Sequence, residues 1–216
     1  MGKDLYIFGA GGAGRELAFS LSLEKDPQKA WNVIGFIDDD KELWGKSFNG
    51  LQVIGGSEEL RHRKGSVALC TVANPKVKRA VVSKIKDIPT IDFPLIISPL
   101  SIVSPFVTWG EGCIVALPFD FISVNVDIGR FVFINCTTRI GHDVVIGDFT
   151  TIFSGIDISG GVHIGADCVL GSGVTINPGV KIGNGSIIGA GSVVVRDIPD
   201  NVVAAGVPAK VIGDNS

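Results

Sequence analysis

An aliphatic residue stands at every sixth position from residue 122 to residue 194, and this period restricts the fold more than any other feature of the chain. The positions are Ile122, Ile128, Ile134, Ile140, Ile146, Ile152, Ile158, Ile164, Leu170, Ile176, Ile182, Ile188 and Val194, without a break. Four residues after them come mostly small or β-branched side chains, such as Val126, Thr138, Ile156, Cys168 and Ser186. Glycine often follows the aliphatic residue directly, as at Gly129, Gly141, Gly147, Gly165 and Gly171. The order suits a short strand that points one aliphatic chain inward and then turns a corner, with glycine accepting a backbone other residues avoid. Three hexads close a triangular coil of eighteen residues, so the segment reads as a left-handed parallel β-helix of hexapeptide repeats. An antiparallel sandwich would show turn signals about every 8–12 residues instead. Residues 101–117 read as a less regular first coil, and the tail, residues 201–216, is expected to leave the helix and pack across it or a neighbour.

The first 95 residues follow a different pattern. Leu5, Tyr6, Ile7 and Phe8 form an apolar strand, a glycine turn follows, and residues 15–23 have helical spacing. A second strand, residues 32–37, runs into Asp38, Asp39 and Asp40; a third is expected at 67–72 and a helix at 75–85, before a link containing Pro89, Pro94 and Pro99. The expected architecture is therefore α/β plus all-β: a small Rossmann-like parallel domain over 1–95, then the β-helix with its tail over 96–216. Gly9-x-Gly11-x-x-Gly14, between strand and helix with Asp38 closing the next strand, matches a dinucleotide fingerprint. Backbone N–H groups and the positive helix end accept phosphate oxygens there. A glycine turn also occurs simply to let a helix pack close to its sheet. Only about three βα units fit, half a full dinucleotide fold, so a nucleoside diphosphate is a more economical ligand than NAD.

A net charge of −3 and a pI of about 5.6 provide no basic field for nucleic acid or an anionic membrane. No apolar run reaches the roughly 18 residues of a spanning helix. Met-Gly-Lys-Asp leads into a strand rather than a signal-peptide core, so a cytoplasmic protein is expected. Cys70, Cys113, Cys136 and Cys168 lie far apart, which suits neither a disulfide framework nor a zinc site; reduced, mostly buried thiols are expected, and no metal.

Three histidines remain as candidates for proton chemistry. His62, within Arg61-His62-Arg63-Lys64, reads as solvated surface. His142 and His163 fall within the repeat but outside its aliphatic positions, so both should point outward. An outward histidine on a β-helix is commonly just surface. Imidazole, however, accepts a proton near neutral pH, and the adjacent Asp143 would fix its tautomer and raise its basicity. Acyl transfer from a thioester requires that the attacking amine or hydroxyl lose a proton and that an N–H hold the tetrahedral oxyanion. An outward histidine beside a glycine corner meets both needs.

The ordered set of Phe8-Gly-Ala-Gly-Gly-Ala-Gly14, Phe36-Ile-Asp-Asp39, Gly141-His-Asp-Val-Val-Ile-Gly-Asp-Phe149, Ser159-Gly-Gly-Val-His-Ile-Gly165 and Gly206-Val-Pro-Ala-Lys210 resembles the sugar acyltransferases of the NeuD and PglD type along essentially the whole chain. The resemblance implies an acetyl-CoA-dependent acetyltransferase, free of metal, assembled as a homotrimer with acetyl-CoA between neighbouring β-helices. The acceptor it implies is a nucleotide-linked amino sugar used in surface-glycan biosynthesis. By the same resemblance His142 is the general base, Asp143 its carboxylate partner, and Gly160, one coil further, the N–H facing the thioester carbonyl. Ser172 and Ala190 correspond to backbone that touches the CoA arm. Gly11, Gly12 and Ala13 resemble the phosphate turn, Asp38 and Asp39 the nucleoside-binding pair, and Ala73 with Asn74 a turn that helps hold the sugar nucleotide. Two positions depart from the family. Thr151 stands where some relatives carry a second histidine near the acetyl carbonyl, and Ser98-Pro99 replaces a His-Pro that opens the β-helix. His163 falls at a variable position and reads as surface or rim. Two other functions fit the same residues: O-acetylation of a sugar or sialic acid hydroxyl, and a non-catalytic nucleotide-binding trimeric scaffold.

Overall fold

The computed structural model describes residues 3–69 and 74–215. Ala73, Cys70 and the end of the expected strand at 67–72 lie outside the described residues.

The N-terminal part is a mainly parallel sheet. Its elements are β1 (Asp4–Phe8), α1 (Gly12–Leu21), β2 (Asn32–Ile37), β3 (Ser47–Phe48), β4 (Leu51–Gly55), β5 (Gly65–Leu69), α2 (Pro75–Ile85) and β6 (Ile91–Asp92). The strand order is β3-β4-β2-β1-β5-β6, and only β3 runs antiparallel to its neighbour β4. Leu5, Ile7 and Phe36 are buried on this sheet, with Leu17 of α1 in the same cluster. The β3–β4 hairpin was not expected from the sequence. Its signal is nevertheless present: Asn49 and Gly50 take φ of 51° and 83°, the left-handed pair of a two-residue hairpin turn.

From Ile96 onward the strands stack as three faces of a prism. Face one contains Ile96–Ile97, Ile114–Val115, Phe133–Ile134, Thr151–Ile152, Val169–Leu170 and Ile187–Ile188. Face two runs from Ile102–Val103 through Arg139–Ile140 and Asp157–Ile158 to Val193–Val194, and face three from Val107–Trp109 through Val145–Ile146 and His163–Ile164 to Lys181–Ile182. Regular rungs pair eighteen residues apart, as Ile140 with Ile158 and Ile146 with Ile164. The first coil is looser, as expected: Phe121 pairs with Ile102 and Phe133 with Ile114, one residue more than the repeat. The repeating aliphatic chains form one continuous core.

Two expectations need correction. The glycines that follow the aliphatic residues do not serve a left-handed turn. The left-handed positions come two residues later, at Asn125, Thr137, Asp143, Gly161 and Asp167, for example, with φ of 56°, 57°, 56°, 70° and 59°. Gly141 is required by close stacking instead, since a Cβ there would lie 2.7 Å from the Gly160 amide nitrogen of the next coil. The tail also stays within the prism. Val202–Gly206 adds a parallel rung to face one beside Ile187–Ile188, and Ala209–Asp214 folds back antiparallel to it. An exposed parallel edge has unpaired backbone groups, and the hairpin satisfies them.

Helix α2 fastens the sheet domain to face one. Lys78 is 1% exposed, and its ammonium donates to Phe131 O (2.9 Å), Phe149 O (3.2 Å) and Thr151 Oγ1 (3.1 Å). Arg79 makes a two-pronged pair with Asp167 and lies 3.9 Å from the centroid of the Phe149 ring, which stacks on Phe131. Ser98 is buried and accepts a hydrogen bond from Ser20, so Ser98 joins the two parts structurally. Replacing Lys78 with Met strands buried acceptors, and the expected loss is about 2–4 kcal/mol of unfolding free energy. Urea denaturation checks it as a lower midpoint at unchanged slope.

Asp120 is an inward carboxyl in the first coil, 1% exposed, accepting from Thr138 N (2.8 Å) and Ser101 Oγ (3.2 Å). Burial pushes its carboxyl up to about 7, against the opposing pull of those hydrogen bonds. Folding therefore favours the neutral form, a contribution complete below the ordinary carboxylate range and lost as pH climbs through about 7. Asp120→Asn is expected to raise the unfolding free energy by about 2 kcal/mol near pH 8, with a higher melting temperature, and to change both little near pH 4. Thermal melts across that range check the sign. Cys113 and Cys168 are buried free thiols, pushed up to about 11 by burial, and Cys136 is half-buried. No helix among the described residues is long and apolar enough to cross a membrane.

Candidate active site

His142 projects from the corner between faces two and three. Its carrier is a turn in which Gly141 allows the next coil to stack closely and Asp143 takes the left-handed conformation. Asp tolerates that conformation better than most side chains. The turn aims the Asp143 carboxylate back at the imidazole: Oδ2 lies 2.7 Å from His142 Nδ1. The other oxygen accepts from Asn125 Nδ2 at 3.1 Å. Asn125 was not foreseen, although it stands eighteen residues before Asp143 at the same left-handed position. Hydrogen bonds from His142 and then Asn125 hold the Asp143 carboxyl below the usual carboxylate range. An ionised Asp143 places the ring hydrogen on Nδ1 and leaves Nε2 as the proton acceptor.

Gly160 lies one coil above, against the ring. A Cβ at Gly160 would sit 2.5 Å from His142 Nε2 and 2.6 Å from Cε1, so the imidazole fills the space a side chain would take. At the corner between faces three and one, amides at the same hexad position are capped, Arg130 donating to Asp148, Ala166 to Asn184 and Asn184 to Asp200. At the other corners, amides such as those of Ser172 and Ala190 have no hydrogen-bond partner among the described residues. The Gly160 amide makes no hydrogen bond among the described residues. The proton acceptor and an unsatisfied N–H thus lie side by side, the arrangement that acyl transfer requires.

Ser172 and Ala190 are exposed and stack one above the other, but at the corner between faces one and two. Thr151, where some relatives carry a second histidine, does not lie at the His142 corner within the chain. Thr151 is on face one, 1% exposed beneath α2 with its hydroxyl bonded to Lys78, because the sheet domain docks on that rung. His163 is exposed on face three, its Nδ1 3.2 Å from Gly161 O, and His62 is exposed at the end of a short helical turn.

In the sheet domain, Gly11 caps α1 without any side-chain hydrogen bond, and a Cβ on Gly11 or Gly12 would meet open space. Ala13 follows in the first turn of the helix. The open space at Gly11 and Gly12, at the N-terminus of a helix, leaves room for phosphate. Asp38 accepts from Ala10 N at 2.9 Å and Asp40 N at 3.0 Å, which ties the end of β2 to the glycine turn. Asp39 instead accepts from Ser57 N at 2.8 Å and Lys84 Nζ at 2.7 Å. Burial alone would raise its carboxyl, but the Lys84 and Ser57 hydrogen bonds outweigh it and hold it below the usual range. Asn74 caps α2, accepting from Lys76 N and Val77 N, and borders a cavity of about 510 Å³ reaching Asp167, Asn184 and Asn215.

Residues 4–85 match the PglD N-terminal domain family, and residues 157–196 match the bacterial transferase hexapeptide family (six repeats). GDP-perosamine N-acetyltransferase of Escherichia coli O157:H7 is 33% identical over 158 residues, covering 71% of this chain and 69% of that protein. The crystal structure of PerB from Caulobacter crescentus in complex with CoA and GDP-perosamine superposes with a TM-score of 0.85 at 29% identity, covering 97% of each chain. The acetyltransferase domain of PglB from Neisseria gonorrhoeae in complex with acetyl coenzyme A superposes equally well, with a TM-score of 0.85 at 28% identity, covering 98% of this chain and all of that one. The chain belongs to the NeuD/PglD-type sugar acyltransferase family, the hexapeptide-repeat acetyltransferases with an N-terminal nucleotide-sugar-binding domain.

Proposed function

We propose that the protein transfers the acetyl group of acetyl-CoA to the amine of a nucleotide-linked amino sugar, with His142 as general base. The reading rests on one observation: His142, held through Nδ1 by Asp143, lies against the unsatisfied Gly160 amide. The sugar amine attacks the thioester carbonyl as Nε2 takes its proton. The Gly160 N–H stabilises the oxyanion, and collapse releases CoA thiol and the amide. Division of labour follows the fold, with residues 1–95 binding the nucleotide through Gly11, Gly12, Ala13 and Asp38, and residues 96–216 supplying the chemistry. Within one chain the sheet domain packs on face one, while His142 and the Ser172–Ala190 column occupy different corners. Both corners border face two, and CoA is taken to lie in a crevice between this edge of one copy and a neighbouring copy of a homotrimer. Cytoplasmic acetyl-CoA and nucleotide sugar, feeding surface-glycan synthesis, complete the reading.

The test is release of CoA thiol from acetyl-CoA with a panel of GDP- and UDP-linked amino sugars, their hydroxyl counterparts and free sialic acid. Turnover with the amines supports the proposal. Turnover with hydroxyls alone reassigns the acceptor, and calorimetry showing nucleotide binding without CoA binding replaces the enzyme with a scaffold.

A further inference from the structure

Trp44 is a large aromatic side chain left 45% exposed beside the nucleotide turn. Its position is built rather than loose. The indole Nε1–H donates to Asp38 O at 2.8 Å, and the Asp38 carboxylate receives the Ala10 amide of the glycine turn. The following residue, Gly45, donates its N–H to Val53 O at 2.8 Å and so ties the loop to β4. Gly56 backs the ring closely: a Cβ there would come within 3.1 Å of the indole and of Asp39 Oδ1. The Lys41 ammonium lies 5.8 Å from the ring centroid, a water-exposed cation drawn to the π-face. A hydrophobic ring held rigid, half-exposed and one residue removed from a phosphate turn has the properties of a stacking shelf.

We propose that Trp44 carries the nucleobase of the sugar nucleotide and that this base is guanine; the inference rests on the nucleotide-sugar reading above. With the diphosphate at Gly11 and Gly12, the ribose falls at the end of β2, near Asp38, and the base continues towards the ring that Asp38 anchors. A purine covers more of an indole than a pyrimidine does, and stacking strength sets base preference on such a platform. The polar edge favours the same base. Asp40, on the same tight turn, uses one carboxylate oxygen to cap Glu42 N and leaves the other, on an exposed side chain, without a hydrogen-bond partner among the described residues. Guanine presents N–H donors from N1 and N2 together, which suit a carboxylate, whereas the single N–H of uracil lies between two carbonyl oxygens.

The experiment titrates GDP and UDP into the full chain, read by calorimetry and tryptophan emission, with Trp44→Ala and Trp44→Phe alongside. GDP is expected to bind the unaltered protein more tightly than UDP and to quench its emission. Trp44→Ala should weaken GDP by about tenfold and UDP by less, as loss of a stacking partner does. Trp44→Phe should keep most of the affinity and lose the quench, since Trp31 and Trp109 remain as the only indoles. GDP affinity unchanged in Trp44→Ala, or UDP bound as tightly as GDP to the unaltered chain, overturns the assignment while leaving the nucleotide reading intact. Equal loss of both nucleotides in Trp44→Ala and Trp44→Phe marks a structural role and also overturns it. Failure of either nucleotide to bind the unaltered protein removes the nucleotide reading itself, and this assignment with it.

Discussion

His142→Ala is expected to lower kcat by about 10²–10⁴-fold, the usual cost of losing a general base, while the KM for acetyl-CoA changes little. The imidazole is exposed and contributes nothing to the buried core, so melting temperature should stay within about a degree of the parent. Asp143→Ala should fall between the two enzymes. It removes the carboxylate that fixes the tautomer, and also places alanine in a left-handed turn at φ 56°. Asp143→Asn keeps the tolerant turn residue but loses the charge, so it separates backbone strain from electrostatics. Steady-state CoA release checks the series. Full turnover by His142→Ala would sink the assignment of the base.

Gly160→Ala is expected to cost about 10²-fold or more in kcat although it adds a single methyl group. The added carbon would occupy the space of the ring, 2.5 Å from Nε2, and the exposed imidazole must swing aside before any backbone does. A shift of about 1 Å in a reacting group is enough for that loss. Nucleotide binding should remain, because the glycine turn and Asp38 belong to the sheet domain on face one. Calorimetry with nucleotide, beside kcat, checks the split; equal loss of both would mean that the coil had been disrupted instead.

The repeat was readable because each hexad reports the same local geometry, and α2 and β2 fall where periodicity places them. Orientation of His142 and Asp143 followed from the same counting, since both fall outside the two inward positions of the hexad, the aliphatic residue and the small or β-branched one four places on. What counting could not provide was contact between distant segments. Lys78 reads as one of several solvent-facing cations in Lys76-Val77-Lys78-Arg79, and its burial depends on carbonyls of Phe131 and Phe149 supplied by another domain. The burial of Thr151 was out of reach for the same reason, because it is the docking of α2 that covers that rung. The corner glycines were assigned to backbone freedom when the actual constraint is the approach of the next coil, as at Gly141. The β3–β4 hairpin was overlooked despite its Asn49-Gly50 signal, since β3 has only two residues and shows no alternation of its own.

Because every regular coil repeats the backbone of the one below, position along the prism changes only in steps of about 4.8 Å. His142 with Gly160, and Ser172 with Ala190, are each one such step apart on their own edges. The prism is thus a graduated ruler for an extended cofactor. Inserting or removing a whole coil would retune the reach between reactive end and anchoring end by one division, with the register of every other rung preserved.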